Sequence, residues 1–337
     1  MNIINYLNNH PRLNYFQRCI RHLTDIKFVN EVLDIGKNPL RLNIQEIGKE
    51  NVGQLIYICQ TMGCDGFFAE LRFIMHELFF AERFGLLPVV KMPQNSYYAE
   101  NEPINGTTNP FEYYFQPVSE ISLASAEKSC ALVEHNWYQR QYIKKIYNLK
   151  SGYLPSDLYL KEMARLVNKY IKFNSIMNEY LNKETKKILN NTKTLGVHVR
   201  GSDFKRHYIN HPNIVTIDEY LEETSKIMEN NKYSRIFIAT DDIDALKRFS
   251  SVFKEKLSYY DDVIRTDSDE TVMRSDSERN MHHFLLGREV IRDMVTLSRC
   301  DGIVAGLSNV SIFARIMKLS TGNDFLNMNY INKGINA

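Results

Sequence analysis

From residue 195 onward the chain repeats one pattern: a short apolar run, a polar or glycine turn, then a stretch with apolar residues at helical spacing. The apolar runs fall at 195–199, 235–239, weakly at about 259–264, and at 302–305. Helical spacing covers 217–230, 243–250, 286–299 and 310–319. Strands that alternate with helices confine a chain to α/β architectures with a mainly parallel sheet. Each run ends in a turn, and in open parallel sheets those turns share the edge where ligands bind.

The first half holds one further βαβ unit. Leu55 to Cys59 reads as a strand, Gly63-Cys-Asp-Gly66 as a turn, 67–84 as a helix, and 86–90 as the next strand. Residues 92–118, rich in Pro, Asn, Gly and Tyr, suggest a long ordered loop near a site. Helices are expected over 123–150 and 157–191. A length of 337 residues favours two domains, placed at 1–191 and 192–337.

With 42 basic and 40 acidic residues the net charge is +2, which argues against a dedicated nucleic-acid binder. A local basic cleft for a phosphorylated ligand is compatible with that balance. The five cysteines are scattered, with no CxxC pair, so neither a zinc site nor a disulfide framework is expected. The polar, Asn-rich N-terminus has no signal-peptide core, and no run of 18 apolar residues occurs. A cytoplasmic location is the expectation. Basic and aromatic residues within 1–30 suit a solvated helix and also peripheral contact with a membrane face.

The segment Leu195 to Asp203 (LGVHVRGSD) carries the plainest chemistry. Arg200 follows the strand directly, and its planar, permanent charge suits a phosphate or diphosphate. The alternative is an arginine that pairs with Asp203 to brace the turn. Asp241-Asp242 follows the next strand; either carboxylate could accept from a sugar hydroxyl or base amide, or N-cap the helix from Ile243. Adjacent aspartates suit a shared ion poorly, and no metal is expected. In Gly306-Leu-Ser308-Asn309 a capped helix start and an anion site are compatible readings. Gly63-Cys-Asp-Gly66 lacks both the dinucleotide and the P-loop spacing. His282-His283 reads as a solvated loop pair, and no GxSxG elbow is present.

Taken in order, GVHVRGSD, FIATDD and IRDMVTLSRCDGIVAGLSNVSIFARIMK resemble the motif series of GDP-fucose-dependent fucosyltransferases. The likeness is strongest to the α1,6-fucosyltransferases. GCDGFFAELRFIMHELFFAERFGLLPVV and FQPVSE extend it, so that it covers about 60–120 and 195–320. The resemblance implies a GT-B architecture, with two Rossmann-like domains facing across a cleft and the donor on the C-terminal one. It also implies inverting, metal-independent transfer of L-fucose from GDP-fucose to an oligosaccharide or glycolipid-precursor acceptor. Matched position by position, Arg200 would neutralise the leaving diphosphate and His198 would contact the nucleotide. Asp203 would orient Arg200. Asp241, Asp242, Asp267, Asp293, Ser308 and Asn309 would complete the donor site, with Gly63, Gly66 and Glu70 on the acceptor side. The chain departs from the α1,6 pattern where Gly201 replaces a second arginine, Phe204 a lysine, and Tyr208 a glutamate. Lys205, Arg206 or Arg288 could supply a missing charge, and His207, Asp203 and Glu70 remain candidate bases. The rival expectations are another GDP-sugar or linkage such as α1,2, and a non-catalytic nucleotide- or sugar-binding protein.

Overall fold

The computed structural model describes residues 10, 13, 16, 17, 20, 24, 42–150, 152–201, 212–267, 272–274 and 277–336, the side chain of Met273 aside. Asp203, Lys205, Arg206, His207 and Tyr208 lie outside the described residues.

Two sheets form, the second of them the parallel sheet that the strand–helix alternation of the second half predicts. The first has four strands in the order β1-β4-β2-β3: β1 is Ile44–Gln45, β2 Ile56–Gln60, β3 Leu87–Lys91 and β4 Leu132–Val133. β2 runs parallel to both β3 and β4, and β1 closes the edge antiparallel to β4. Between β2 and β3 runs α1, Phe67–Arg83. Gly63 makes the entry turn with φ +75°, and a Cβ there would lie 2.9 Å from Pro93. Only glycine meets both demands.

The second sheet has five strands, all parallel, in the order β7-β6-β5-β8-β9. They are β5 Thr194–Val199, β6 Arg235–Thr240, β7 Leu257–Ser258, β8 Gly302–Gly306 and β9 Asn327–Ile331. Every residue of β5 is buried, as a central strand covered on both faces requires. From β5 the chain winds outward to β6 and β7, then returns to β5's other side for β8 and β9. The order therefore reverses between β5 and β8, and a crevice opens at their carboxyl ends.

The helix expected over 123–150 is instead one turn, α2 (Leu123–Ala126), then β4, then α3 (Trp137–Ile146). α3 starts at a capping box: Asn136 accepts from Tyr138 N and Gln139 N, while Gln139 accepts from Asn136 N. The helix expected over 157–191 is two, α4 (Asp157–Tyr170) and α5 (Ser175–Leu189). The break has a tertiary cause. Gln116 N donates to Lys172 O at 2.7 Å and Asn174 N to Tyr114 O at 3.0 Å, drawing 172–174 into pairing with the loop. Asn174 then caps α5 by accepting from Met177 N. The weak strand expected at 259–264 is only Leu257–Ser258, and β9 was not anticipated.

The remaining helices are α6 (Ile217–Asn231), α7 (Ile243–Phe253), α8 (His282–Arg299) and α9 (Asn309–Ser320). α8 begins four residues earlier than expected, so His282 is buried in its first turn and His283 Nδ1 lies 3.0 Å from Tyr97 O. The pair is no solvated loop. One apolar core joins the halves: Phe68 of α1 packs on Phe313 of α9 at 5.0 Å, and Tyr114 stacks on Phe284 at 5.5 Å. α4, from the first half of the chain, lies against α9, with Arg315 bridging Asp157 at 3.0 Å. No helix among the described residues is long and apolar enough to cross a membrane.

Candidate functional site

At the reversal point the end of β5 meets the start of α9. His198 is buried, and its Nδ1 lies 3.3 Å from Ser308 Oγ. Ser308 caps α9: its Oγ accepts from Ser311 N at 3.1 Å, and Ser311 Oγ returns to accept from Ser308 N at 3.2 Å. Of the two readings of this turn, the capped helix start is the one observed. The cap is built from side chains, and the positive end of a 12-residue helix faces the crevice.

The Asp241-Asp242 pair divides its work. Asp242 is buried and N-caps α7, accepting from Asp244 N at 2.8 Å and Ala245 N at 3.1 Å. Asp241 turns the other way; its Oδ1 accepts from Gly201 N at 3.1 Å.

Two cavities meet here. The smaller, about 300 Å³, is lined from the second half by His198, Arg200, Thr240, Asp241, Val263, Ile264, Glu289, Asp293 and Asn309. Asp65, Gly66, Phe67 and Tyr98 close it from the first half. Its size falls at the lower end of small-molecule sites, roughly 300–1,000 Å³. The larger, about 710 Å³, shares Arg200 and Asn309 with it and continues past Ser308 between α1, α3 and the 147–156 segment. Arg200 and the start of α9 thus stand at the junction.

Glu289 and Asp293 lie one turn apart on α8 and face the smaller cavity. Burial raises both carboxyls. Asp293 is pushed up to about 7, because desolvation outweighs the nearby Arg292 and Arg265. Glu289 is raised by burial against its ion pair with Arg279 at 2.5 Å. On the opposite wall Gly66 offers α1 no capping side chain, and the Tyr98 hydroxyl takes that place, accepting from Phe67 N at 2.7 Å. Glu70 sits beneath the glycine turn, fully buried. Its Oε1 accepts from Asp65 N at 3.0 Å, its Oε2 is buried without a hydrogen-bond partner, and burial raises its carboxyl.

Of the expected site residues, His198, Arg200, Asp241, Asp293, Ser308, Asn309 and Gly66 line one or both cavities. Asp242 and Gly63 serve as cap and turn, and Glu70 lies below the wall. Asp267 is exposed and lines neither cavity. Arg288 lies over the Tyr180 ring, 4.6 Å from its centre, and lines neither. Tyr98, Asp65 and Glu289 also line the smaller cavity; the first two belong to the tyrosine-rich 92–118 loop and the Gly63–Gly66 turn noted in the sequence, whereas Glu289 carries no sequence signal. Among the described residues Cys64, Asp65 and Glu70 are the one group of three whose ligand atoms come within 4.8 Å of each other, the spacing a cation could bridge.

No protein-family model and no curated protein matches the chain. Among solved structures it is similar to NodZ alpha-1,6-fucosyltransferase co-crystallized with GDP, at 16% identity over 78% of this chain and 92% of that one, with a TM-score of 0.49. It is similar to fucosyltransferase NodZ from Bradyrhizobium at 15% identity, over 78% and 92% of the two chains, with a TM-score of 0.46. POFUT1 in complex with GDP is 11% identical over 85% of this chain and 98% of that one, with a TM-score of 0.46.

Proposed function

We propose that the protein is a glycosyltransferase that uses a GDP-sugar, with GDP-β-L-fucose as donor and an oligosaccharide hydroxyl as acceptor. The observation that carries this is the position of Arg200 and the α9 N-terminus at the junction of two cavities. A nucleotide in the smaller cavity would leave its diphosphate at that junction, with the acceptor in the larger one.

In the transfer, the bond from sugar C1 to the β-phosphate oxygen breaks and the acceptor oxygen bonds to C1 from the opposite face, inverting the centre. The acceptor's proton passes to a base, and the pair of electrons from the broken bond stays on the diphosphate. Arg200 and the helix N-terminus meet charge that grows as the bond breaks, so they favour the transition state over the ground state. This assigns the charge stabilisation to protein groups and needs no metal. Asp203, His207 and Glu70 remain the candidate bases.

The GT-B reading and the sugar identity rest on the ordered motifs around Arg200, Asp241 and Ser308. Release of the nucleoside diphosphate is to be measured in the presence of an oligosaccharide acceptor with GDP-fucose, GDP-mannose and UDP-galactose, GDP from the first two and UDP from the last, with and without EDTA. Turnover of GDP-fucose that survives EDTA and falls by about a hundredfold or more in Arg200→Ala is expected, the scale seen when one charge-stabilising donor is lost. Turnover restricted to GDP-mannose would move the donor to another GDP-sugar. GDP-fucose turnover unaffected by Arg200→Ala would defeat the mechanism.

A further inference from the structure

The larger cavity has an unusual charge balance. Among the described residues four cationic side chains line it: Arg72 on α1, Lys144 on α3, Lys150 and Arg200. Among the described residues that line it there is no aspartate or glutamate.

A fifth cation nearby, Arg140, is neutralised. Its guanidinium is buried against Glu77, 2.7 Å away, and Glu77 also accepts from Gln60 N. That carboxylate is fully used. Among the described residues Arg72 and Lys144 have no comparable carboxylate partner, and the Arg72 Nε is buried without a hydrogen-bond partner. The carboxylate that acts on Arg72 across space is Asp65, on the wall of the other cavity. The pair shows its strain in its proton affinities. Burial, then the charges of Arg72 and Arg140, lower Lys144, while burial lowers Arg72. His76, between them, is driven well below its ordinary value by burial and then by Arg72, Lys144 and Arg140, so it stays neutral. Its Nε2 is held 2.8 Å from the Tyr159 hydroxyl, and its Nδ1 is buried without a partner.

Like charges such as Arg72 and Lys144 in one wall, with no carboxylate among the described residues lining the cavity, favour the arrival of an anion. Of the tyrosines that line the cavity, Tyr153 is exposed, an aromatic surface of the kind that packs on sugar rings. We propose that the larger cavity is the acceptor site and that Arg72 and Lys144 bind a negatively charged group, a phosphate or a carboxylate, carried by the acceptor glycan. This rests on the reading that the smaller cavity holds the GDP-sugar, and it narrows the acceptor to an anionic saccharide.

The test is a calorimetric titration of the full chain with inorganic diphosphate and, separately, with glucuronate, each with and without saturating GDP. One probe should bind the GDP-loaded protein. Lys144→Gln and Arg72→Gln should each weaken that binding about tenfold, and Lys161→Gln, an exposed α4 lysine outside the cavity, should leave it unchanged. Tighter binding of diphosphate identifies a phosphate-bearing acceptor, and tighter binding of glucuronate a uronic acid. Two results overturn the inference: neither probe binds, or GDP displaces the probe, which would give these cations to the donor's own diphosphate. Should Arg72→Gln fail to fold, Lys144→Gln, which removes a repelling charge, carries the test. Absence of GDP binding sinks the donor reading alone, because the anion isotherm without GDP still reports on Arg72 and Lys144.

Discussion

Asp241 Oδ1 accepts the Gly201 amide proton at 3.1 Å, tying the turn after β5 to the end of β6. A Cβ on residue 201 would lie 2.5 Å from Asp242 Cβ and 2.9 Å from Asp241 Oδ1. The glycine that departs from the α1,6 pattern is therefore required by its neighbours: no side chain fits between this turn and the aspartate pair. Gly201→Ala should cost about 1–3 kcal/mol, the range for overpacking, and should weaken GDP binding by shifting Arg200. Chemical denaturation and nucleotide titration of the same variant check both.

Glu77 and Arg140 are both buried, at 0% and 2% side-chain exposure, and hold the first sheet to α1 and α3. Glu77→Gln leaves a buried arginine uncompensated, and a loss of about 3–5 kcal/mol is expected. Denaturant midpoints measure it. A change below about 1 kcal/mol would mean that water already screens the pair.

Burial pushes the Asp293 carboxyl up to about 7, against 3.8 for its ordinary value. Its neutral form is the one favoured by folding, so its contribution is complete below about pH 4 and is lost as pH rises through about 7. Asp293→Asn should therefore match the wild type below pH 4, gain stability progressively up to about pH 7, and hold that gain above it. Thermal melts across this range give the profile; a constant difference at every pH would contradict it.

Gly287 on α8 lets Tyr114 approach: a Cβ there would fall 2.2 Å from the Tyr114 hydroxyl, which donates to Phe284 O at 2.9 Å. This contact joins the loop of the first half to the helix that walls the smaller cavity. Gly287→Ala should destabilise by roughly 1–3 kcal/mol or more, and Tyr114→Phe by about 1 kcal/mol. Comparing the two melts separates crowding from the lost hydrogen bond.

Much of the second sheet was legible because its strands are continuous apolar runs closed by turn formers, and Arg200, Asp241 and Ser308 sit at those closures. What escaped has physical reasons. β9 is half-exposed and reads NMNYI, with no apolar run. The break between α4 and α5 is set by hydrogen bonds to Tyr114 and Gln116, some sixty residues away. The paired expectations for Asp241-Asp242 were resolved only by direction, one side chain capping α7 and the other crossing to Gly201. Arg72 and Lys144 carry no signal in the sequence beyond falling in stretches read as helix; only the packing of α1 against α3 brings them to one wall.

On the proposed function, the junction held by Arg200 and the α9 N-terminus binds the diphosphate of a guanine nucleotide. Isothermal titration of GDP, GMP and UDP into the wild type and into Arg200→Ala, with EDTA present, tests it most directly. GDP should bind more tightly than GMP and UDP, and Arg200→Ala should weaken GDP by about tenfold or more while changing GMP far less, as loss of a charge-assisted contact of about 1.5–3 kcal/mol requires. Equal affinities for all three nucleotides, or GDP binding indifferent to Arg200, would contradict it.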